Sequence, residues 1–144
     1  MIKSHKDLKI KIFADGANIN EMKKVYGEGI VSGFTTNPTL MKKDGVTDYV
    51  SFAKDVLTVI TDMPISFEVF SDDFESMEKQ ARLIGSWGEN VYIKIPVTNT
   101  KGENSLKLIE RLTGDGLKLN VTAILTVEQV ENVMKAISKD TKTI

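Results

Sequence analysis

The sequence has no cysteine, one histidine, one tryptophan and three prolines among its 144 residues. The absence of cysteine excludes a disulfide framework, a thiolate metal site and a cysteine nucleophile. The lone histidine, His5, lies outside the strand pattern described below, so we expect neither a histidine-based catalytic triad nor a histidine metal site. The sequence also has no GxGxxG or Walker-type phosphate loop. Any chemistry is therefore expected from carboxylate, amine, amide and hydroxyl side chains.

The sequence also has no excess of charge of one sign and no long hydrophobic run. Nineteen basic and 20 acidic residues leave a formal charge of −1, which gives no electrostatic reason to expect binding to nucleic acid or to an anionic membrane. No run approaches the roughly 18 apolar residues of a membrane span. The short, charged segment MIKSHKDL that precedes the first strand is unlike a signal peptide. We expect a cytoplasmic protein without nucleic-acid or membrane partners, folded as a single domain over residues 1–144.

What the sequence does contain is a regular alternation of short apolar runs and longer amphipathic ones. Runs rich in Ile, Val and Phe predict five buried strands, at residues 9–15, 30–36, 64–70, 90–96 and 117–125. Amphipathic patterns predict helices at 20–27, 47–60, 73–86, 103–113 and 126–138. Capping-box patterns stand at Asn18–Glu21, Asp72–Glu75 and Thr126–Gln129. A strand followed by a helix, repeated five times, predicts an α/β fold with a parallel sheet.

The C-terminal part of the chain carries two further predictions. The last predicted helix has an apolar stripe that we expect to pack on the sheet, formed by Val127, Val130, Val133, Met134 and Ile137. The segment Thr141–Ile144 then looks like the beginning of a sixth strand.

Polar residues stand at or near the C-terminal ends of the predicted strands: Asp15, Asn37, Glu68, Lys94 and Thr122. Consecutive members are 22 to 31 residues apart, so eight such units need about 214 residues, which is a length typical of a (β/α)8 barrel. Parallel strands joined by crossover helices end on one rim, where ligands bind, so we expect these side chains to converge there. The chain then supplies the first five βα units of a TIM-type barrel and the start of a sixth strand. A smaller α/β sheet is the alternative on length alone.

Lys94 is the most informative of these residues, because its ammonium group is flanked by Ile93 and Ile95 within a strand. Burying an ammonium group is unfavourable, and desolvation lowers the pKa of a lysine and leaves more of it as free amine. A neutral amine can attack a carbonyl to form a carbinolamine and then a Schiff base. Glu68 and Asp15 are candidates to move the protons of those steps, and Thr122 is a candidate to hydrogen-bond a water beside Glu68.

Several of these residues also have a purely structural interpretation. Lys94 and a carboxylate can form an ion pair that only fills the interior. Asn37, followed by Pro38, fits a helix N-cap with proline at the first helical position. Asp15, followed by Gly16, fits a turn. The residue pattern alone leaves both kinds of interpretation open.

Taken in chain order, these motifs resemble the transaldolase family. They are Asp15 near the end of the first strand, TTNPT at 35–39, FEV at 67–69, IKIPVT at 93–98 and NVTA at 120–123. The resemblance runs across residues 9–126, which is most of the chain. The TTNPT and KIPVT motifs together are specific, whereas either alone is weaker.

The resemblance implies a class I aldol mechanism on a (β/α)8 barrel, with no cofactor and no metal. By this resemblance Lys94 is the Schiff-base lysine and Asp15 an acid/base in carbon–carbon cleavage, while Glu68 and Thr122 hold the water that shuttles protons. Asn37 and Thr36 are the implied substrate-binding residues. The implied reaction carries a dihydroxyacetone unit from a ketose phosphate, such as fructose 6-phosphate or sedoheptulose 7-phosphate, to an aldose phosphate in the pentose phosphate pathway. Fructose-6-phosphate aldolases, relatives that release free dihydroxyacetone, tend to have Gln where this sequence has Glu68, which favours a transaldolase.

The chain departs from the family in its length. Small members run to more than about 200 residues, and the family's Ser and Arg contacts to the substrate phosphate come from the sixth and seventh strands. We therefore expect a truncated form of a longer enzyme, whose open sheet edge is covered by a homo-oligomer partner or another chain. Two alternatives stay open. One is an inactive partial barrel that acts only in assembly, and the other is a barrel aldolase or lyase outside the transaldolases, with Lys94 still its nucleophile.

Overall fold

Strands and helices alternate along the chain, as the sequence predicts, except that two helices lie between the second and third strands. The computed structural model describes residues 8–144, so the predictions for His5 lie outside the described residues. Strands β1 to β5 are Phe13–Asp15, Gly33–Thr35, Ile65–Glu68, Val91–Pro96 and Leu119–Thr122. Helices α1 to α6 are Ile19–Glu28, Pro38–Lys43, Tyr49–Val59, Phe74–Gly85, Leu106–Gly114 and Val127–Ala136. The longest, α4, has 12 residues, and within residues 8–144 no helix has the length and apolarity needed to cross a membrane.

The chain divides into two compact units, residues 1–65 and residues 66–144. In the first unit β1 and β2 are parallel neighbours, with Asp15 in register with Thr35. The N–H of Phe34 donates a 2.8 Å hydrogen bond to the carbonyl of Pro64, just before β3. Ile10, which belongs to the predicted first strand, instead precedes β1 and is 72% exposed. Only the second half of that apolar run is therefore a strand.

In the second unit, β3 and β5 flank β4. The N–H of Val69 donates to the carbonyl of Lys94 at 3.1 Å, and β4 runs parallel to β5 with Lys94 in register with Asn120. One face of these strands is buried and includes Phe67, Ile93, Ile95 and Leu119, which have no exposed surface. Trp87, after α4, packs edge-on against the ring of Phe67 with 5.5 Å between the ring centres. Strand alternation therefore directs the polar residues of these strands to the opposite face.

Helix starts in the structure confirm most of the predicted caps. Thr126 and Gln129 form a complete capping box at the start of α6, and the side chain of Asn18 accepts hydrogen bonds from the first turn of α1. The prediction for α4 is wrong by one residue, because Asp73 is the N-cap and accepts from the N–H of Ser76. Its neighbour Asp72 has a different partner, described below.

An ion-pair network links α4 to α5. Glu78 lies 2.7 Å from Arg82 on α4 and 2.8 Å from Arg111 on α5. Both arginines hold the pKa of Glu78 below its ordinary value through hydrogen bonds and charge. The negative charge of Glu78 is therefore favoured in the folded chain.

The last residues of the chain confirm the predicted start of a sixth strand. The N–H of Ile144 donates to the carbonyl of Leu119 at 2.8 Å, and the N–H of Val121 donates to the carbonyl of Ile144 at 3.0 Å. The bridge between Leu119 and Thr143 is parallel. This short segment therefore extends the sheet of the second unit beside β5.

The packing predicted for the stripe on α6 is mostly wrong. Val133 is buried, but Val127 and Met134 are 75% and 64% exposed, and Val130 is also exposed. Leu125, just before the helix, is 89% exposed. The stripe has helical spacing, yet in the second unit no described element lies over this side of α6.

Candidate active site

Lys94 and Glu68 form the centre of the candidate site in the second unit. Lys94 Nζ lies 3.4 Å from Glu68 Oε2, and the two side chains are only 14% and 20% exposed. The neighbours of Lys94 in β4, Ile93 and Ile95, are fully buried on the opposite face, which leaves Lys94 on the polar face. The distance is that of an ion pair without a tight hydrogen bond. A carboxylate is thus close enough to exchange a proton with the amine after a small movement.

Thr122 ends β5 on the same face of the sheet. Its Cα is in register with Pro96, two residues beyond Lys94, and its carbonyl accepts from the N–H of Val97 at 2.9 Å. The next residue, Ala123, has a φ of 61°, in the left-handed region that costs roughly 1–2 kcal/mol for a residue with a side chain. This turn of the backbone ends the strand directly after Thr122.

Asp15 lies at the C-terminal end of β1, in the first unit. Its side chain accepts a 2.8 Å hydrogen bond from Thr35 Oγ1 on the neighbouring strand β2, and the residue is exposed. The N–H of Gly16 donates to the carbonyl of Thr35, which continues the pairing past the end of the strand. The Asp15 carboxylate is therefore held by a side chain of β2 and remains open to solvent.

Asn37 confirms the N-cap interpretation. Its Oδ1 accepts from the N–H of Leu40 at 3.0 Å, and Pro38 is the first residue of α2, a short helix that the sequence patterns otherwise missed. The cap uses only the side-chain oxygen, so the amide nitrogen of Asn37 is not committed to it. Thr36 is fully buried, and its Oγ1 has no hydrogen-bond partner among the described residues. A substrate contact by either residue stays a prediction.

The predicted site residues are distributed over both units. Glu68, Lys94 and Thr122 belong to the second unit, and the structure brings the first two into contact. Asp15, Thr36 and Asn37 belong to the first unit. Within residues 8–144, no three histidine, aspartate or glutamate side chains are grouped so that they could hold a metal ion.

Sequence reasoning missed a hydrogen bond that lies close to Lys94. Asn120 Nδ2 donates to Ser66 Oγ at 3.0 Å, and Ser66 is fully buried. The two residues come from the strands on either side of β4, each two residues before Glu68 or Thr122. Alternate strands of (β/α)8 barrels contribute side chains to a common layer, which is how Ser66 of β3 and Asn120 of β5 meet. The two-residue spacing of Ser66 and Glu68 in one strand is the sequence signal that places Ser66 on the same face as Glu68.

Comparison with known proteins identifies relatives of the chain. A family model described as "Transaldolase/Fructose-6-phosphate aldolase" matches residues 12–144. A protein of Dehalococcoides mccartyi named "Probable transaldolase" is 40% identical over 120 residues, which cover 83% of this chain and 54% of that protein. Another of the same name, from Caldicellulosiruptor saccharolyticus, is 42% identical over 127 residues, which cover 88% of this chain and 56% of that protein.

A solved structure supports the fold independently. The dihydrodipicolinate synthase of Rhodopseudomonas palustris superposes with a TM-score of 0.59 and 16% identity, covering 89% of this chain and 51% of that one. At this identity the likeness concerns the fold alone, and it confirms the predicted class, a barrel-type α/β fold present as five βα units and the start of a sixth strand. The chain spans about half the length of the curated relatives it matches. The match of residues 12–144 to the family model shows that the chain belongs to the transaldolase/fructose-6-phosphate aldolase family.

Proposed function

We propose that this chain carries the Schiff-base chemistry of a transaldolase, with Lys94 as the nucleophile. The observation that carries the proposal is the position of the Lys94 amine, mostly buried and 3.4 Å from the Glu68 carboxylate. Desolvation offsets much of what a buried ion pair contributes to stability, so stability alone is a weak reason to bury these two charges. An amine that must lose a proton, in contrast, needs an acceptor nearby. Membership of the family adds a class of reaction to that geometry.

The proposed reaction begins when the neutral amine of Lys94 attacks the C2 carbonyl of a ketose phosphate. The carbinolamine that forms loses water to give an imine, and Glu68 supplies and removes the protons of this dehydration, with Thr122 positioning a water beside it. Cleavage of the C3–C4 bond then needs a base for the C4 hydroxyl; the carbons from C4 onward leave as an aldose phosphate, and carbons 1–3 stay on Lys94 as an enamine. For this role we propose Asp15, and we propose Asn37 and Thr36 as contacts to substrate hydroxyls. The dihydroxyacetone unit left on Lys94 adds to the aldehyde of an aldose phosphate, and water releases the product.

Trapping with borohydride tests the proposal. Fructose 6-phosphate and sodium borohydride should leave a reduced adduct on the peptide that contains Lys94, detected by mass spectrometry. Lys94→Met should abolish the adduct, and Glu68→Gln should slow its formation. Lys107→Met, which removes an exposed lysine of α5, is the matched control and should trap as the wild type does. A folded wild-type chain without an adduct would refute the proposal and favour a fragment that acts only in assembly.

The fate of the three-carbon unit separates the two reactions of the family. A transaldolase transfers it to an added aldose phosphate, whereas an aldolase releases free dihydroxyacetone. We propose transfer, because Glu68 stands where the aldolases tend to have Gln. Release without transfer would reassign the chain to the aldolases. Turnover of pyruvate or deoxyribose phosphate in place of fructose 6-phosphate would instead assign it to another barrel aldolase. The proposed setting is the pentose phosphate pathway in the cytoplasm.

A further inference from the structure

The loop that follows β4, residues 97–105, is held in one shape by hydrogen bonds within the loop. Asn99 is buried, and its Oδ1 accepts from the N–H groups of Lys101 and Glu103 at 3.0 and 2.9 Å. Its Nδ2 donates to Glu103 Oε2 at 2.6 Å. Thr98 and Asn104 form an antiparallel bridge, so that the loop folds back on itself. Such a network leaves the loop little conformational freedom.

The base of this loop is attached to the end of β4, two residues beyond Lys94. Ser105 is buried, and its Oγ donates to the carbonyl of Pro96 at 2.7 Å. The N–H of Ser105 also donates to the carbonyl of Val97 at 2.9 Å. Movement of the loop would therefore pull on the last residues of the strand that presents Lys94.

The tip of the loop is attached to the loop that follows Glu68. Asp72 Oδ1 accepts from the N–H of Thr100 at 2.8 Å, and Asp72 Oδ2 accepts from Thr100 Oγ1 at 2.7 Å. These bonds also hold the pKa of Asp72 below its ordinary value. The next residue, Asp73, already caps α4, so the role of Asp72 is not explained by the helix start. We call this pair of hydrogen bonds the Asp72–Thr100 latch.

We propose that Asp72 is a positioning residue for the proposed Schiff-base reaction: through Thr100 it fixes loop 97–105, and the loop in turn keeps the end of β4 in place so that Lys94 stays beside Glu68. The latch joins the two loops that follow the two residues of the ion pair. In α/β barrels the loops at this end of the strands form the ligand-binding face. A loop that is held at both its base and its tip is a rigid part of that face and does not open and close over it. This inference rests on the proposed function for its effect on Lys94, but the fixing of the loop does not depend on it.

Hydrogen exchange and imine trapping on the 144-residue chain together test the latch. Asp72→Ala should increase amide exchange in peptides covering 97–105 by roughly tenfold, because the tip loses a charge-assisted acceptor. The rate of borohydride trapping at saturating fructose 6-phosphate should fall by about tenfold, since small misplacements of a reacting group are costly. The half-saturating concentration should stay within about twofold. Asp73→Ala, which removes the adjacent carboxylate, should weaken α4 without changing either readout.

Two substitutions of Thr100 distinguish loss of the latch from a general loss of structure. Thr100→Val removes only the hydroxyl bond and should reproduce part of both effects, whereas Thr100→Ser keeps the hydroxyl and should restore both to the wild-type level. Unchanged loop exchange in Asp72→Ala would overturn the latch. Faster exchange with an unchanged trapping rate would overturn its effect on Lys94. A wild-type chain that traps nothing would overturn the proposed function and the positioning role together, and loop exchange would still decide whether Asp72 fixes the loop.

Discussion

Replacing Lys94 with methionine removes the ammonium group that faces Glu68 but keeps most of the apolar length of the side chain. At 3.4 Å, the Coulomb energy of two unit charges is about 1.2 kcal/mol in water and about 5 kcal/mol at an effective dielectric constant of 20. Desolvation of the two largely buried groups offsets part of the larger value. We therefore expect a coupling free energy of about 1–3 kcal/mol between the two side chains.

A double-mutant cycle measures this coupling. Urea unfolding of wild type, Lys94→Met, Glu68→Gln and the double variant, followed by circular dichroism, gives four free energies of unfolding. The exposed pair Glu75–Lys79 on α4 is the matched control. Its atoms are closer, at 2.7 Å, but its side chains are 81% and 73% exposed, so Glu75→Gln and Lys79→Met should couple by less than about 0.5 kcal/mol. Equal coupling in the two cycles would refute the argument that burial, and not distance, sets the strength of the central pair.

Other substitutions test the packing, the caps and the ion network by urea unfolding. Gly33→Ala should destabilise the chain by roughly 1–3 kcal/mol, because the added Cβ would clash with the ring of Phe13 and lie 2.7 Å from the carbonyl oxygen of Pro64. Gly27→Ala, on α1 with open space around the new methyl group, should instead stabilise it by about 0.5–1 kcal/mol. Thr126→Ala should cost about 1 kcal/mol through the lost capping box. The two arginines lower the pKa of Glu78 in the folded chain. The contribution of Glu78 to the free energy of unfolding is therefore present above the ordinary carboxyl pKa, and it is lost as the pH falls through the lowered pKa of the folded chain. Glu78→Gln should therefore flatten the loss of stability as the pH falls below the ordinary carboxyl pKa, and a slope equal to that of the wild type would contradict this.

Local patterns in the sequence predicted the presence of strands better than they predicted where each strand begins and ends. Each strand is present, but β5 stops at Thr122 because Ala123 takes a left-handed φ, which no apolar pattern reveals. The first strand begins only at Phe13, although the apolar pattern starts at residue 9, and Ile10 within that pattern is 72% exposed. The stripe on α6 illustrates the opposite limit: helical spacing identifies an apolar face, but it does not say whether another element covers that face.

Two-residue alternation predicted the centre of the candidate site, since Glu68 and Lys94 lie on the face opposite the buried Phe67, Ile93 and Ile95. Contacts between residues distant in sequence were not predictable in this way. Ser66 with Asn120 and Asp72 with Thr100 are 54 and 28 residues apart, and each meeting depends on register and loop shape. The Asp72 pattern even indicated a helix cap, because two adjacent aspartates before a helix do not show which of them caps it.

The contact between Trp87 and Phe67 has a practical consequence for any study of this chain. Trp87 is the only tryptophan, and its ring packs in the second unit, so intrinsic fluorescence reports the melting of that unit. Circular dichroism, in contrast, also includes α1, α2 and α3 of the first unit. Superimposable fluorescence and dichroism curves would mean that residues 1–65 and 66–144 unfold as one cooperative body. A Gly33→Ala chain whose dichroism shifts while its fluorescence does not would show that each unit melts by itself.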